Sequence, residues 1–395
     1  MTPDPRMSTV DRKIPVMLPY LGEEEAQAAA EAVRSGWVAQ GPRVAEFEQA
    51  FAARVGAAHG IAVSSCTTGL HLALIALGVG PGDEVVVPSL SFIETANAAR
   101  YVGATPVFAD VELATGNLTV ETIDAVRTPR TRAVVAVHQG GVPADVRALR
   151  EACQGWGVGL VEDAACAAGS TAYGQPVGVG ALIAAWSFHP RKVITTGEGG
   201  MLTTDDAEWA VRLRRLREHG MNVSAAERHA SAQPVLEAYL ETGYNFRMTD
   251  IQAAVGLVQL GRLAALVAQR RALAARYHEL LRGVPAVRAV TDPPYGETNF
   301  QSFWVLLEPE FGTSRDETLR ELAAAGVSAR RGIMAAHLEP AYARPAGQAA
   351  GAGPAEGLPN TERLTRESLI LPLHHALTED DQEYIVGLLR RLAAP

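Results

Sequence analysis

Residues 133–163, A-V-V-A-V-H-Q-G-G-V-P-A-D-V-R-A-L-R-E-A-C-Q-G-W-G-V-G-L-V-E-D, hold two short apolar runs, one from Ala133 and one from Val158, on either side of a helical stretch. The same alternation fills the first two thirds of the chain. E-V-V-V-P from Glu84, T-P-V-F-A-D from Thr105 and I-A-A-W-S-F from Ile183 are further candidate strands. Short apolar runs alternating with helices predict an α/β fold, a mostly parallel sheet covered by helices. Ligands of open α/β sheets sit outside the carboxyl ends of the strands, so Asp110, His138, Asp163 and Ser187 fall where a site is expected. After Gln252 the pattern becomes long and helical and reads as the bridge to a smaller C-terminal lobe. Residues 1–13 read as a polar leader, 14–260 as the large domain and 261–395 as the small one. The Gly/Ala/Pro stretch from Ala343 to Gly357 reads as a mobile surface loop, and the chain has no internal repeat.

With 395 residues, 48% apolar and 20% charged, the chain can bury a large core. A formal net charge of −9 disfavours nucleic acid and anionic membranes as partners and leaves room for a local arginine-lined pocket. The three cysteines, Cys66, Cys153 and Cys166, are far apart and without C-x-x-C spacing, which suggests neither a disulfide framework nor a metal site. A reducing cytoplasm fits them. The leader lacks the apolar core of a signal peptide, and no segment reads as a membrane span.

Lysine and arginine total 35, yet only Lys13 and Lys192 are lysines. Arginine cannot form a Schiff base, so a lysine kept in S-F-H-P-R-K-V-I-T-T-G-E-G-G points to a need for its amine. An arginine-biased composition with Lys192 as a surface remnant is the alternative. An aldehyde cofactor held by a lysine also needs a carboxylate for a pyridinium nitrogen, a phosphate anchor and an aromatic face. Asp163 could supply the carboxylate or simply cap a helix. S-S-C-T-T-G-L-H-L-A-L from Ser64 places hydroxyl residues before a helix, whose first amides could cradle a phosphate. Phe92, after a strand, could stack on a flat ring or pack as an ordinary loop residue.

V-E-D-A-A, S-F-H-P-R-K-V-I-T-T-G-E-G-G and G-Y-N-F-R-M-T-D-I-Q-A-A-V-G-L-V-Q-L, in this order and spacing, resemble the pyridoxal-phosphate sugar aminotransferases of the DegT/DnrJ/EryC1/StrS group. W-V-A-Q-G-P-R-V-A-E-F-E near the start and L-P-L-H-H-A-L-T-E-D-D-Q near the end extend the resemblance from about Ile14 to the C-terminus. It implies the fold-type I aminotransferase architecture, with a large mixed, mostly parallel sheet domain, a smaller C-terminal α/β domain, and a homodimer with shared active sites. It makes Lys192 the Schiff-base lysine and proton carrier, and Asp163 the partner of the ring nitrogen. Phe92 takes the stacking position; Thr67, Thr68 and Ser187 take phosphate positions; Asn245 reaches the phosphate of the neighbouring subunit. Lys192 is then expected to be partly neutral, through burial and a cationic cofactor.

Two residues depart from the group. Cys166 stands where many relatives place glutamine or histidine against the cofactor's phenolic oxygen, and Cys66 where they carry glycine or alanine. Both also read as small packed thiols. Candidate substrate-facing residues are Trp37, His189, Arg191, Arg228, His229, Arg330, Arg331, His337 and Tyr342, whose arginines could grip a diphosphate. His138 and His219 are ambiguous, and a satisfied strand-end histidine is the plainer reading of His138. The resemblance implies transfer of an amine, usually from L-glutamate, to a keto-deoxysugar nucleotide. A keto-cyclitol or another non-nucleotide ketone is the alternative acceptor. Sugar dehydration is disfavoured by Lys192, and a non-catalytic cofactor-binding regulator by the acidic charge.

Overall fold

The computed structural model describes residues 12–223, 236–342 and 357–393. Arg228, His229 and the stretch 343–356 lie outside them. A seven-stranded sheet is formed by β1 (His59–Val63), β2 (Glu84–Pro88), β3 (Thr105–Ala109), β4 (Thr131–Val137), β5 (Gly159–Asp163), β6 (Ile183–Ser187) and β7 (Gly200–Thr204). Its spatial order is β1-β7-β6-β5-β4-β2-β3. Only β7 runs antiparallel to its neighbours. The large mixed, mostly parallel sheet is thus as the sequence predicts. Its central strands are near-continuous apolar runs because both faces are covered. Val85, Val87, Ala133 and Val135 point to one core with Leu70, Leu72 and Leu74 of the helix Cys66–Ala76, while Val86, Val134 and Ala136 point to the other.

A second sheet of β8 (Val287–Ala289), β9 (Phe303–Leu307), β10 (Arg330–Arg331) and β11 (Ser368–Leu371) is antiparallel, in the order β8-β9-β11-β10. It shares one apolar cluster with a face of the large sheet. The helix Asp250–Leu281 links the two regions and runs unbroken across residue 260, where the sequence divides the domains.

That helix corrects one expectation, since it is long and apolar enough to cross a membrane. Here it serves as a core helix. It packs on the helices Glu23–Arg34 and Pro42–Val55. Gly256 meets the Phe47 ring so closely that an added Cβ would lie 2.8 Å from it. Gln259 donates to Tyr20 O (2.7 Å) and Glu25 (2.8 Å), and the buried Arg270 to the carbonyls of Phe300 (2.9 Å) and Gln301 (2.8 Å). Its N-terminus is capped by Thr249 and Gln252, and Asp250 accepts from the amides of Gly41 and Val44 at 2.8 and 3.0 Å.

Candidate active site

Asp163 is the last residue of β5 and only 5% exposed. Its carboxylate accepts from Thr95 Oγ1 (3.0 Å) and the amide of Ala165 (3.1 Å), so it faces the strand end with both oxygens held. Burial pushes its pKa above the usual carboxylate value, against the pull of the Ala165 amide and the Lys192 amine. A buried carboxylate in that state is a ready partner for a cation. Cys66 Sγ lies 3.9 Å from Asp163 Oδ1, and burial together with the carboxylate raises this thiol well above its ordinary range.

Lys192 Nζ donates to Cys166 Sγ at 3.1 Å. Burial alone would push the amine down, yet Cys166, Cys66 and Asp163 together hold its pKa above the ordinary lysine value. The expected partly neutral amine is therefore not what the protein side chains alone produce. The loops carrying these groups are pinned from the small lobe. Asn299 Nδ2 donates to the carbonyls of Cys166 (2.8 Å) and Ala168 (2.9 Å), and Gln301 Nε2 to that of Arg191 (2.5 Å).

The helix Cys66–Ala76 starts two residues after Ser64, with Ser65 as its N-cap. Ser65 Oγ accepts from the Thr68 amide and Thr68 Oγ1 from the Ser65 amide, both at 3.2 Å. The amides of Cys66 and Thr67 find no acceptor inside the helix, which with the helix dipole makes an anion cradle. Gly200 of β7 lies so near this turn that a Cβ would sit 2.5 Å from the Ser65 carbonyl carbon. Ser187 pairs with Gly200 and Gly200 with Val63, so Ser187 shares this edge. Phe92 is 68% exposed, between β2 and the helix Glu94–Tyr101, with its ring free to take a flat partner.

The other candidates separate into groups. Asp110 caps the helix Pro359–Glu367 through Asn360 N (3.0 Å) and Thr361 N (2.8 Å), which makes it structural. His138 is fully buried, accepts from the Ala144 amide at 3.0 Å and faces Glu162 at 3.5 Å, while Glu162 is paired with Arg150 at 2.6 Å. His219 has a positive φ of 60°. Asn245 is exposed, bridges Glu218, and is followed by Phe246, whose carbonyl accepts from Ser64 N at 2.8 Å. Trp37 donates to Gln40 O at 3.2 Å, and Gln40 reaches Glu218 at 3.4 Å, so Trp37 sits near the Asn245 segment. His189 accepts from the Arg191 amide at 3.2 Å and lies 4.0 Å from Glu198. His337 Nδ1 meets Ser89 Oγ at 2.6 Å and its Nε2 lies 3.6 Å from Glu362; Arg331 pairs with Glu339 at 3.6 Å. Tyr342 bonds Asn97 at 2.7 Å beneath Arg100.

Sequence reasoning missed Thr95, Asn299 and Gln301. Thr95 stands 68 residues before the carboxylate it holds, and nothing local marks the pairing.

A buried carboxylate, a half-buried primary amine, an amide cradle and an exposed aromatic ring at one end of the sheet fit pyridoxal phosphate, whose ring nitrogen, aldehyde, phosphate and flat face need these partners. Residues 19–390 match the DegT/DnrJ/EryC1/StrS aminotransferase family. The chain is similar to the aminotransferase TlmJ from Streptoalloteichus hindustanus, with 38% identity, TM-score 0.86, and 96% of this chain and 98% of that one covered. It is similar to DesI, solved in the presence of its TDP-sugar product, with 33% identity, TM-score 0.85, and 98% and 94% covered. Spr1654 from Streptococcus pneumoniae, in its PLP-form, is 27% identical with TM-score 0.87 over 96% and 98% of the two chains. The chain belongs to the DegT/DnrJ/EryC1/StrS aminotransferase family and is a pyridoxal-phosphate-dependent aminotransferase.

Proposed function

We propose that this aminotransferase moves an amino group from L-glutamate to a keto-deoxysugar carried on a nucleotide, working as a cytoplasmic homodimer with shared active sites. The observation that carries the acceptor class is the similarity, at 33% identity, to DesI, whose structure was solved in the presence of its TDP-sugar product. The free thiols Cys66, Cys153 and Cys166 support a reducing compartment. The exposed Asn245 is suited to reach the partner subunit's site.

When bound, pyridoxal phosphate supplies an aldehyde carbon for the amine and a ring that takes up electrons. Asp163, fixed by Thr95 and the Ala165 amide, holds the positive charge of the ring nitrogen. Phe92 covers a ring face, and the Cys66–Thr68 turn with Ser187 binds the phosphate. In each half of the transfer Lys192 Nζ would carry a proton between the substrate carbon and the cofactor carbon, as a general acid and base. Cys166, against Nζ, orients the amine.

The test is the absorbance of the purified holoenzyme before and after L-glutamate, followed by nucleotide-linked ketosugars. The expected result is a spectral change with glutamate that a nucleotide-linked ketosugar reverses. Reversal by keto-inosose and by no nucleotide sugar would replace this acceptor class.

A further inference from the structure

Three consecutive residues, Asn299, Phe300 and Gln301, are buried just ahead of β9, and the outer two reach into different loops of the large sheet. Asn299 Nδ2 donates to the carbonyls of Cys166 (2.8 Å) and Ala168 (2.9 Å), in the loop that follows β5. Gln301 Nε2 donates to the carbonyl of Arg191 at 2.5 Å, in the loop that follows β6. β5 and β6 are paired in the sheet, and their loops meet where Lys192 Nζ donates to Cys166 Sγ at 3.1 Å. The two arms therefore hold the two sides of that contact. They are also tied to each other, since Asn299 Oδ1 accepts from the Gln301 amide at 2.7 Å.

The residue between the arms is strained. Phe300 has a φ of 49°, in the left-handed region that bulky side chains avoid. Such backbone persists only where its surroundings over-determine it, and it gathers at working sites. Here the surroundings include Arg270 of the helix Asp250–Leu281, whose Nε and Nη2 donate to the carbonyls of Phe300 and Gln301. Arg150 and Arg217 are paired with Glu162 and Glu48, whereas the buried Arg270 has no carboxylate partner among the described residues. Burial accordingly pushes its guanidinium down to about 10. Gln301 Oε1 is likewise buried, with no hydrogen-bond partner among the described residues. A left-handed phenylalanine, a buried cation without a counter-ion and an unpaired amide oxygen all cost stability. What the segment gains is the placement of two donors.

We propose that Asn299, Gln301 and Arg270 are positioning residues for the transamination, the strained segment acting as a caliper that sets the separation of Lys192 Nζ and Cys166 Sγ. Asn299 fixes the cysteine side, Gln301 fixes the lysine side, and Arg270 locks the bend between them. This rests on the reading of Lys192 as the proton carrier. None of the three touches the reacting atoms. A proton carrier works only within hydrogen-bond reach of the atom it serves, and a misplacement of about 1 Å can cost on the order of 10²-fold in rate.

The test compares the holoenzymes of the wild type, Gln301→Met, Gln301→Glu, Lys192→Ala and the control Gln382→Met. Gln301→Glu keeps the side chain's shape and removes the donated hydrogen bond. Gln382, on the helix Glu379–Leu392, is a second buried glutamine that donates to one carbonyl, that of Leu273 at 2.8 Å, and leaves its Oε1 unpaired. Each protein is melted, its lysine-linked cofactor absorbance is titrated with pH, and its spectral change is timed with L-glutamate. Cys166, Cys66 and Asp163 face the Lys192 nitrogen and favour its charged form, and the segment holds Cys166. Both Gln301 variants are therefore expected to melt close to the control and to titrate lower by about half a pH unit. Their reaction with saturating L-glutamate should slow about tenfold, at a half-saturating concentration within about twofold of the wild type. Wild-type titration midpoints in both Gln301 variants overturn the caliper. A reaction lost only in step with folded protein does so too, because it gives the segment a role in stability alone. If Lys192→Ala keeps the glutamate reaction, the reading of Lys192 falls and the caliper with it. An inactive Lys192→Ala beside Gln301 variants that behave as the wild type removes the caliper alone.

Discussion

Asp163, Ser187 and Ser64 each stand at, or one residue past, the end of a buried strand, whereas Arg330 and His337 hang on a two-residue strand and a short 3-10 turn. On the first side Asp163 is paired on both flanks, while Ser187 and the residue before Ser64 pair with β7, so each functional group inherits the rigidity of the core. On the second, position depends on contacts between distant segments, such as Ser89 with His337, 248 residues apart. On the proposed reading, the first wall serves the cofactor and the second the acceptor. A scaffold that fixes the first and leaves the second to loop contacts can change acceptors without rebuilding its chemistry.

Four substitutions break or sharpen this contrast. Lys192→Ala should leave a folded protein, by circular dichroism, with turnover reduced at least about 10³-fold and the lysine-linked cofactor absorbance gone. Retained turnover would mean that the rigid wall is not where the chemistry happens. Asp163→Asn should cost on the order of 10²-fold in kcat, measured at saturating cofactor. On the opposite face of the same strand, Glu162→Gln should lower stability by about 2 kcal/mol at neutral pH, because Arg150 and His138 lose a buried partner. Burial raises the Glu162 pKa, but His138 and Arg150 outweigh it and hold the group below its ordinary 4.5. Its contribution is therefore fully present above that value and fades as pH falls through the lower folded-state value. Urea titrations across this acid range should show the wild type's slope flattened in the variant; an unchanged slope would dissociate Glu162 from acid stability. On the rim, His337→Ala should raise the acceptor KM only about threefold to tenfold and leave kcat within about twofold. A kcat collapse there would erase the distinction between wall and rim.

The same contrast decides what could be read in the chain. The runs from Glu84, Thr105, Ala133, Val158 and Ile183 are strands within a residue or two of their expected starts, because strands buried on both faces are unbroken apolar segments. The flanking strands β1 and β7 are less conspicuous. H-G-I-A-V and G-M-L-T-T mix glycine and polar residues into five positions, and no single-chain signal announces that β7 runs backwards. Strand ends located Asp163 and Ser187 correctly in the fold, but the same rule offered Asp110 and His138, which cap a helix and fill the core. A strand terminus says where a side chain lies, while its partner says what it does, and the partners of Asp110 are 250 residues away.

The helix Asp250–Leu281 has a mechanical consequence. Its 32 residues span about 48 Å, so it acts as a lever arm anchored at Asp250 and loaded at Tyr277, which stacks on Phe303 of the small sheet. A tilt of one degree at the anchored end moves the other end by about 0.8 Å. Gly256, pressed on Phe47, sits near the fulcrum, where a single added methyl group would be magnified along the arm and arrive at the mouth of the active site as a displaced sheet.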